Sequence, residues 1–273
     1  MTAILRFEHV HYQYHPGRPV LKDIHFSLRR GESVALIGGN GSGKTTLAKH
    51  CNGLYKPTSG KVYVDGRDTA SMAISDLSST VSYCYQNPDH QIFQSTIWDE
   101  VAFGPRNLGL SEEEVENRVT EALTAVGLNE ARAEEPYFAG KGERQKIAVA
   151  SVLAMKPQVI VLDEPTTGLD HRGVTDMMSL IEQLNQEGHT ILMVTHDMRL
   201  VARYAHRVIV LRQGVIIEDG STEEVFAKTD VLAEAQVEPP SVTRFALGCG
   251  WSCPLPLTLE GLQQRAAKED EHE

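Results

Sequence analysis

The densest chemistry in the chain is one run, Gly38-Gly39-Asn40-Gly41-Ser42-Gly43-Lys44-Thr45, which fits G-x-x-x-x-G-K-[ST]. Glycines let backbone N–H groups turn inward and approach phosphate oxygens closely. A helix that follows offers its positive N-terminal end to the same anion. Lys44 is the residue to neutralise the β- and γ-phosphates, and the Thr45 hydroxyl is a ligand for Mg²⁺. The run lies between an apolar strand, Ser33–Ile37, and a helix read over Thr45–Leu54, which is the context the chemistry requires.

Two other apolar runs end in residues that could act on a nucleoside triphosphate. Val159-Ile160-Val161-Leu162 leads into Asp163 and Glu164. Asp163 is placed to hold Mg²⁺ and Glu164 to polarise an attacking water. Acids commonly follow buried strands, so the pair gains weight only with the phosphate loop upstream. Ile191-Leu192-Met193-Val194-Thr195 delivers His196, whose neutral imidazole can bond a γ-phosphate or orient water. Gln86, after Tyr83-Cys84-Tyr85, offers an amide able to reach both Mg²⁺ and water.

The elements that must position these groups alternate along the chain. Ala3–Tyr14 reads as a strand, or a broken pair, with a slip at Val10, and Lys61–Asp65 as another strand. Ser111 to Gly127 reads as a helix, with a capping box from Ser111 and Glu114 and a glycine stop. Glu143–Met155 is a second helix, ended before Pro157. Val174, Met177, Leu180, Ile181 and Leu184 stripe a third, and Arg212-Gln213-Gly214 joins two strands as a hairpin. Strand–helix alternation implies an α/β core with a parallel sheet. The mostly helical stretch from about 96 to 154 interrupts it as an inserted helical subdomain.

Composition narrows the classes of partner. The chain has 273 residues, 41% hydrophobic and 23% charged, enough for one large domain with a small appendage. A net charge of −11 disfavours nucleic acid as a partner and direct adhesion to an anionic membrane. No apolar stretch approaches the ~20 residues needed to span a bilayer, so a membrane link would run through another protein. The four cysteines are sparse and read as reduced thiols of a cytosolic protein. His9 with His11, and Cys249 with Cys253, match no recognised zinc spacing, and surface or structural roles are expected.

In this order, phosphate loop, Gln86, a glycine-containing segment, Asp163-Glu164, Gly168-Leu169-Asp170 and His196, the chain resembles an ABC transporter ATPase over roughly residues 1–225. The resemblance implies a P-loop NTPase (RecA-like) α/β core with an inserted helical subdomain, an N-terminal antiparallel β region and a small C-terminal extension. It also implies ATP as the nucleotide, Mg²⁺ as its companion, and hydrolysis catalysed by Glu164, His196 and Gln86. Tyr14 matches the aromatic that stacks on adenine, and Thr46 joins Gly38, Asn40, Gly41, Ser42, Gly43, Lys44 and Thr45 around the phosphates. Asp170 falls in the family's loop that touches the partner ATPase. Two segments, Gln86–Phe93 and Asp99–Pro105 with Asn107–Leu110, are similar to the energy-coupling factor and cobalt-type subunits. Those subunits power uptake of vitamins or transition-metal ions. They work in pairs at the cytoplasmic face of the membrane, on a transmembrane coupling protein and a small substrate-capture protein. Residues 1–230 then form the ATPase domain. Residues 231–273, with Leu257-Thr258-Leu259-Glu260, resemble the extension that holds two ATPases together.

One segment departs from the family pattern. Where Leu-Ser-Gly-Gly-Gln is usual, this chain has Ala139-Gly140-Lys141-Gly142-Glu143. The serine hydroxyl is lost at Gly140, and Lys141 replaces a glycine. Either backbone amides and Lys141 replace the serine toward the partner's ATP, which is the preferred reading, or the composite site is weakened and the protein pairs with a non-identical ATPase. Two rival functions remain: a soluble ATP-driven clamp, against which the absence of sustained heptads speaks, and a regulatory module that holds ATP without hydrolysing it.

Overall fold

A computed structural model of the chain describes residues 3–251 and 254–270. Strands β1 (Ala3–Gln13), β2 (Pro19–Arg29) and β3 (Ser33–Ile37) precede helix α1 (Lys44–Cys51). Strands β4 (Ser59–Val64) and β5 (Arg67–Asp68), the short helix α2 (Ile74–Ser78) and strand β6 (Val81–Cys84) follow. Three helices come next, α3 (Ile97–Asn107), α4 (Glu112–Ala125) and α5 (Lys141–Leu153). Strand β7 (Val159–Asp163), helix α6 (His171–Gln186), strand β8 (Thr190–Val194) and helix α7 (Met198–Tyr204) restore the alternation. Strands β9 (Arg207–Arg212) and β10 (Val215–Ser221) lead to helices α8 (Thr222–Ala227), α9 (Thr229–Glu234), α10 (Ser241–Gly248) and α11 (Leu259–Asp270).

The strands form two sheets. One is antiparallel in the order β2-β1-β4-β5, and the other runs β10-β9-β3-β8-β7-β6. In the second, β9, β3, β8, β7 and β6 are mutually parallel, with β10 antiparallel on the β9 edge. The central strands are apolar on both faces because both faces are covered. Ile160 and Leu162 point into a core with α3 to α6, while Val159 and Val161 point into one shared with α1 and the antiparallel sheet. A third core joins Ala35 and Ile37 of β3 to α7, α8 and α9.

Local chemistry accounts for the element ends. Strand β1 runs unbroken, and the slip is a register shift between Phe7 and Val10, where His9 takes φ of 47°. At the β9–β10 hairpin Gln213 and Gly214 both have positive φ, the twist-matched geometry of a tight turn. The Ser111 cap forms on one side only: its Oγ accepts from the Glu114 N–H at 3.3 Å, but the Glu114 carboxylate turns to Arg118 at 2.6 Å. The arginine one turn on outcompetes the reciprocal half of the box. Helix α5 starts two residues before the expected Glu143, at Lys141, because the Glu143 carboxylate accepts the Gly140 N–H at 3.0 Å and satisfies one orphan donor. Helix α9 runs across residue 230, and its Leu232 is fully buried against the β3 core.

Candidate functional site

Parallel pairing sets the location of the site. Strands β3, β8, β7 and β6 end on the same edge of the sheet, so the loops that follow them converge there. Those loops carry Gly38–Thr45, His196, Asp163-Glu164 and Gln86. A cavity of about 360 Å³ at this edge is lined by Tyr14, Asn40, Gly41, Ser42, Gly43, Lys44, Thr45, Thr46, Gln86, Asp163 and Glu164, with Val20 and Val194. Its size suits a small-molecule ligand, about 300–1,000 Å³ being usual.

The phosphate loop is held from several sides. The Lys44 ammonium donates to the carbonyls of Gly38 at 2.8 Å and Gly39 at 3.0 Å, folding across the loop. Burial holds that ammonium below its ordinary pKa, against the opposing pull of Glu164 and Asp163. From the β9–β10 turn, the Gly214 N–H donates to the Ser42 carbonyl at 2.8 Å. The Ser42 hydroxyl is buried at the loop and has no hydrogen-bond partner among the described residues, which suits an acceptor-rich ligand.

The two acids differ in surroundings. Asp163 is buried, and its Oδ2 accepts from the Tyr83 hydroxyl at 2.7 Å. Tyr83 stands on β6, opposite Val161 in the parallel register, and burial pushes its phenol far above the usual pKa. Glu164 is 7% exposed and takes φ of 52°, a region that non-glycine residues avoid and that concentrates at functional sites. Its Oε1 accepts from His196 Nδ1 at 2.7 Å, and the His196 side chain is otherwise 72% exposed. The Glu164 N–H donates to the Val194 carbonyl at 2.9 Å, tying the acidic turn to the strand that delivers His196.

At the opposite rim, Tyr14 is half exposed, and its hydroxyl lies 2.8 Å from Thr46 Oγ1. Its ring meets Tyr12 and Tyr55 edge-on, with centroids 5.1 and 5.6 Å away. Beneath them His50 of α1 is fully buried, donates from Nδ1 to the Thr46 carbonyl at 2.7 Å, and packs edge-on to Tyr12 at 4.7 Å. Burial pulls the His50 pKa from 6.5 to about 4, so the ring is neutral.

Other expected site residues lie elsewhere on the surface. Gly38 and His196 border a neighbouring hollow of about 690 Å³ that shares Asn40 with the first. Gly140, Lys141, Gly142 and Glu143 sit at the start of α5 and Asp170 caps α6, and none of them lines the 360 Å³ cavity. Asp170 Oδ1 accepts from the Gly173 N–H at 2.7 Å. The Lys141 side chain lies along Gly168, where an added Cβ would come within 2.9 Å of its Nζ. The loop after Gln86 is ordered by Glu100, which accepts the Phe93 and Gln94 N–H groups, both at 2.9 Å, and by Gln91, which donates to the Ala148 carbonyl of α5 at 2.8 Å. No group of three or more His, Cys, Asp or Glu that could hold a metal occurs among the described residues. His9 pairs with Asp23 at 2.7 Å, Cys249 is exposed, and Cys253 lies outside the described residues.

Sequence reasoning missed Tyr83 and Gln236. The signal for Tyr83 was its proximity to Gln86, but its partner depends on β6 lying beside β7. Gln236, which reaches the phosphate loop at Gly39, had no signal at all.

Comparison with known proteins adds independent findings. The ABC transporter family model matches residues 21–167. A putative ABC transporter ATP-binding protein of Caldanaerobacter subterraneus subsp. tengcongensis is 51% identical over 240 residues, which span 88% of this chain but 42% of that relative. An energy-coupling factor transporter ATP-binding protein of Methanocaldococcus jannaschii is 43% identical over 241 residues, 88% of this chain and 86% of the relative. The solved structure of cbiO1 from Clostridium perfringens, described as part of the ABC transporter complex cbiONQ, superposes with a TM-score of 0.77 at 34% identity. It covers 92% of this chain and all of that one.

Proposed function

Because the chain belongs to the ABC transporter family of ATP-binding proteins, we propose that it is the ATP-hydrolysing subunit of an energy-coupling-factor or cobalt-type importer. ATPase domains of this family hydrolyse ATP to power transport. The observation that carries the hydrolytic reading is the convergence of Lys44, Asp163 and the Glu164–His196 pair on one edge of a parallel sheet.

ATP enters with its base against Tyr14 and its phosphates over the amides of Gly41 to Thr46. Lys44 exchanges its contacts with the loop carbonyls for the β- and γ-phosphates. The hydroxyl of Thr45, the amide of Gln86 and the carboxylate of Asp163 are oxygen donors of the kind a hard divalent cation takes, and they would hold Mg²⁺. Bound there, the ion would neutralise charge on the phosphate oxygens. Tyr83 occupies one Asp163 oxygen and fixes the direction of the other. Glu164 accepts a proton from a water as its oxygen bonds the γ-phosphorus, the bond to the bridging oxygen breaks, and ADP and phosphate leave. His196 holds the Glu164 carboxylate in place through the 2.7 Å hydrogen bond.

The start of α5 and Asp170 lie outside the lining of the chain's own cavity, which suits a second ATPase subunit whose site they would complete. Membrane partners are supported by the similarity to the energy-coupling-factor and cbiO1 subunits and by an exposed aromatic pair, Phe93 on the loop that follows Gln86 and Phe103 of α3, edge-on at 4.8 Å. No helix among the described residues is long and apolar enough to cross a membrane. The proposed setting is the cytoplasmic face of a membrane, on a coupling protein and a substrate-capture protein for a vitamin or transition-metal ion. Isolation of the tagged chain from its source membranes in gentle detergent should recover both. Recovery of no integral membrane protein overturns the transport reading.

A further inference from the structure

The first limb of the phosphate loop, Gly38-Gly39, is pinned between two parts of the chain that reach it from opposite directions. A Cβ placed on Gly38, whose φ is 148°, would lie 2.0 Å from the Leu211 carbonyl oxygen at the end of β9. A Cβ placed on Gly39 would lie 2.9 Å from Gln236 Oε1, 3.1 Å from the Ala235 carbonyl oxygen and 3.4 Å from Gln236 Cβ. Gly38 is therefore required by close approach, Gly39 is tightly fitted, and the second approach is made by the end of α9 and the residue just past it.

Three further features hold Ala235-Gln236 where they are. Gln236 takes φ of 58° as the left-handed residue that ends α9, where its N–H donates to the Ala233 carbonyl at 3.0 Å and the Val237 N–H to the Leu232 carbonyl at 2.9 Å. Leu232 and Ala235 are buried in the same core as Ile37, the residue immediately before Gly38, and Leu257 packs on that core from the segment before α11. Glu234 pairs with Arg212, the neighbour of Leu211, so the two sides of the clamp are tied to each other.

We propose that Gln236 is a positioning residue: with Ala235 it braces Gly39, and it makes the phosphate loop's shape depend on how the C-terminal segment is seated on the β3 core. Gln236 does not line the 360 Å³ cavity; it borders the neighbouring 690 Å³ hollow beside Gly38, Gly39 and Asn40, so its route to the nucleotide runs through this first limb of the loop. A braced limb keeps the loop amides convergent before the nucleotide arrives, which lowers the conformational entropy lost on binding. Seating of the C-terminal segment is thereby coupled to nucleotide affinity.

This inference rests on the reading of the loop as the ATP site, and the test separates the two. The full chain is titrated with a fluorescent ATP analogue in Mg²⁺, and thermal unfolding without nucleotide is recorded beside it. Gln236→Gly should raise Kd about three- to tenfold, the scale of ordering roughly one backbone residue, and Glu234→Ala, which breaks an exposed ion pair, by less. Gly39→Ala should raise it at least as much, because the Gln236 amide can swing aside but the Ala235 carbonyl belongs to the backbone. The double variant Gly39→Ala with Gln236→Gly should bind more tightly than the product of the single effects predicts, since the Gln236 side-chain atoms that the new methyl would meet at 2.9 and 3.4 Å are gone. Unfolding temperatures within a few degrees of wild type place the effect in binding. Strictly multiplicative Kd effects, or an unchanged Kd in Gln236→Gly, overturn the brace while leaving the ATP site standing. Wild-type protein without affinity for the analogue overturns the ATP site itself. Should Gly39→Ala fail to fold, Gln236→Gly decides alone, and an unchanged Kd there sinks the coupling.

Discussion

Glu164 and Asp163 are adjacent and buried, yet the fold gives them separate partners, His196 for one and Tyr83 for the other. That separation predicts different losses. Glu164→Gln should lower steady-state phosphate release by about 10²-fold or more, the range for a lost general base, with ATP affinity kept. Phosphate release at the wild-type rate would refute the assignment of the base. Tyr83→Phe removes a hydrogen bond to a charged group, of about 1.5–3 kcal/mol, without touching Glu164. Its expected signature is a several-fold increase in the Mg²⁺ concentration for half-maximal ATPase, with maximal rate restored at high Mg²⁺. An unchanged Mg²⁺ dependence would remove Tyr83 from the site. The placing of Asp163 and Glu164 at a strand end could be read from residue type and order, but the Tyr83 contact could not, because only the register of β6 against β7 brings its hydroxyl to the carboxylate.

At the scale of elements, α1 carries both the phosphate-binding residues and the buried His50. The unfolded chain protonates this imidazole near pH 6.5, while the folded chain resists until about pH 4. Between those values the unfolded state binds more protons, so stability present above pH 6.5 falls as the pH drops toward 4, by about 3 kcal/mol. His50→Gln should flatten that acid limb in urea-unfolding midpoints measured from pH 7 to 4.5. An acid limb as steep as wild type would assign the loss to other groups. Among elements, the strand Ser33–Ile37 and the hairpin at Gln213-Gly214 were legible because each is bounded by glycine and filled by local pattern. The start of α5 was misplaced by two residues, because its N-cap is Gly140, which has no side chain to mark the start, and the first turn is held from N3 by Glu143.

At the scale of the molecule, the start of α5 and the Asp170 loop stand outside the chain's own cavity, so closure of a complete site is expected between two copies. Light scattering of Glu164→Gln should report a monomer without nucleotide and a dimer with ATP and Mg²⁺, because this variant binds ATP without consuming it. Lys141→Gly in the same background separates the two readings of the altered segment. Weaker dimerisation means that Lys141 reaches the partner's nucleotide. Unchanged or tighter dimerisation means that its place along Gly168 is its whole role.

What the residues determined alone was chemical identity and local form: a glycine loop for phosphate, two acids and a histidine at strand ends, and the alternation of strand and helix. Those properties depend on side-chain type and short-range periodicity, which a linear chain displays directly. Which strands are neighbours, that β3 lies between β8 and β9, that Tyr83 meets Asp163, and that Gln236 lies beside Gly39 are relations between residues from 80 to nearly 200 positions apart. Such contacts exist only after apolar faces of separate segments have been buried against one another, and no spacing along the chain records them.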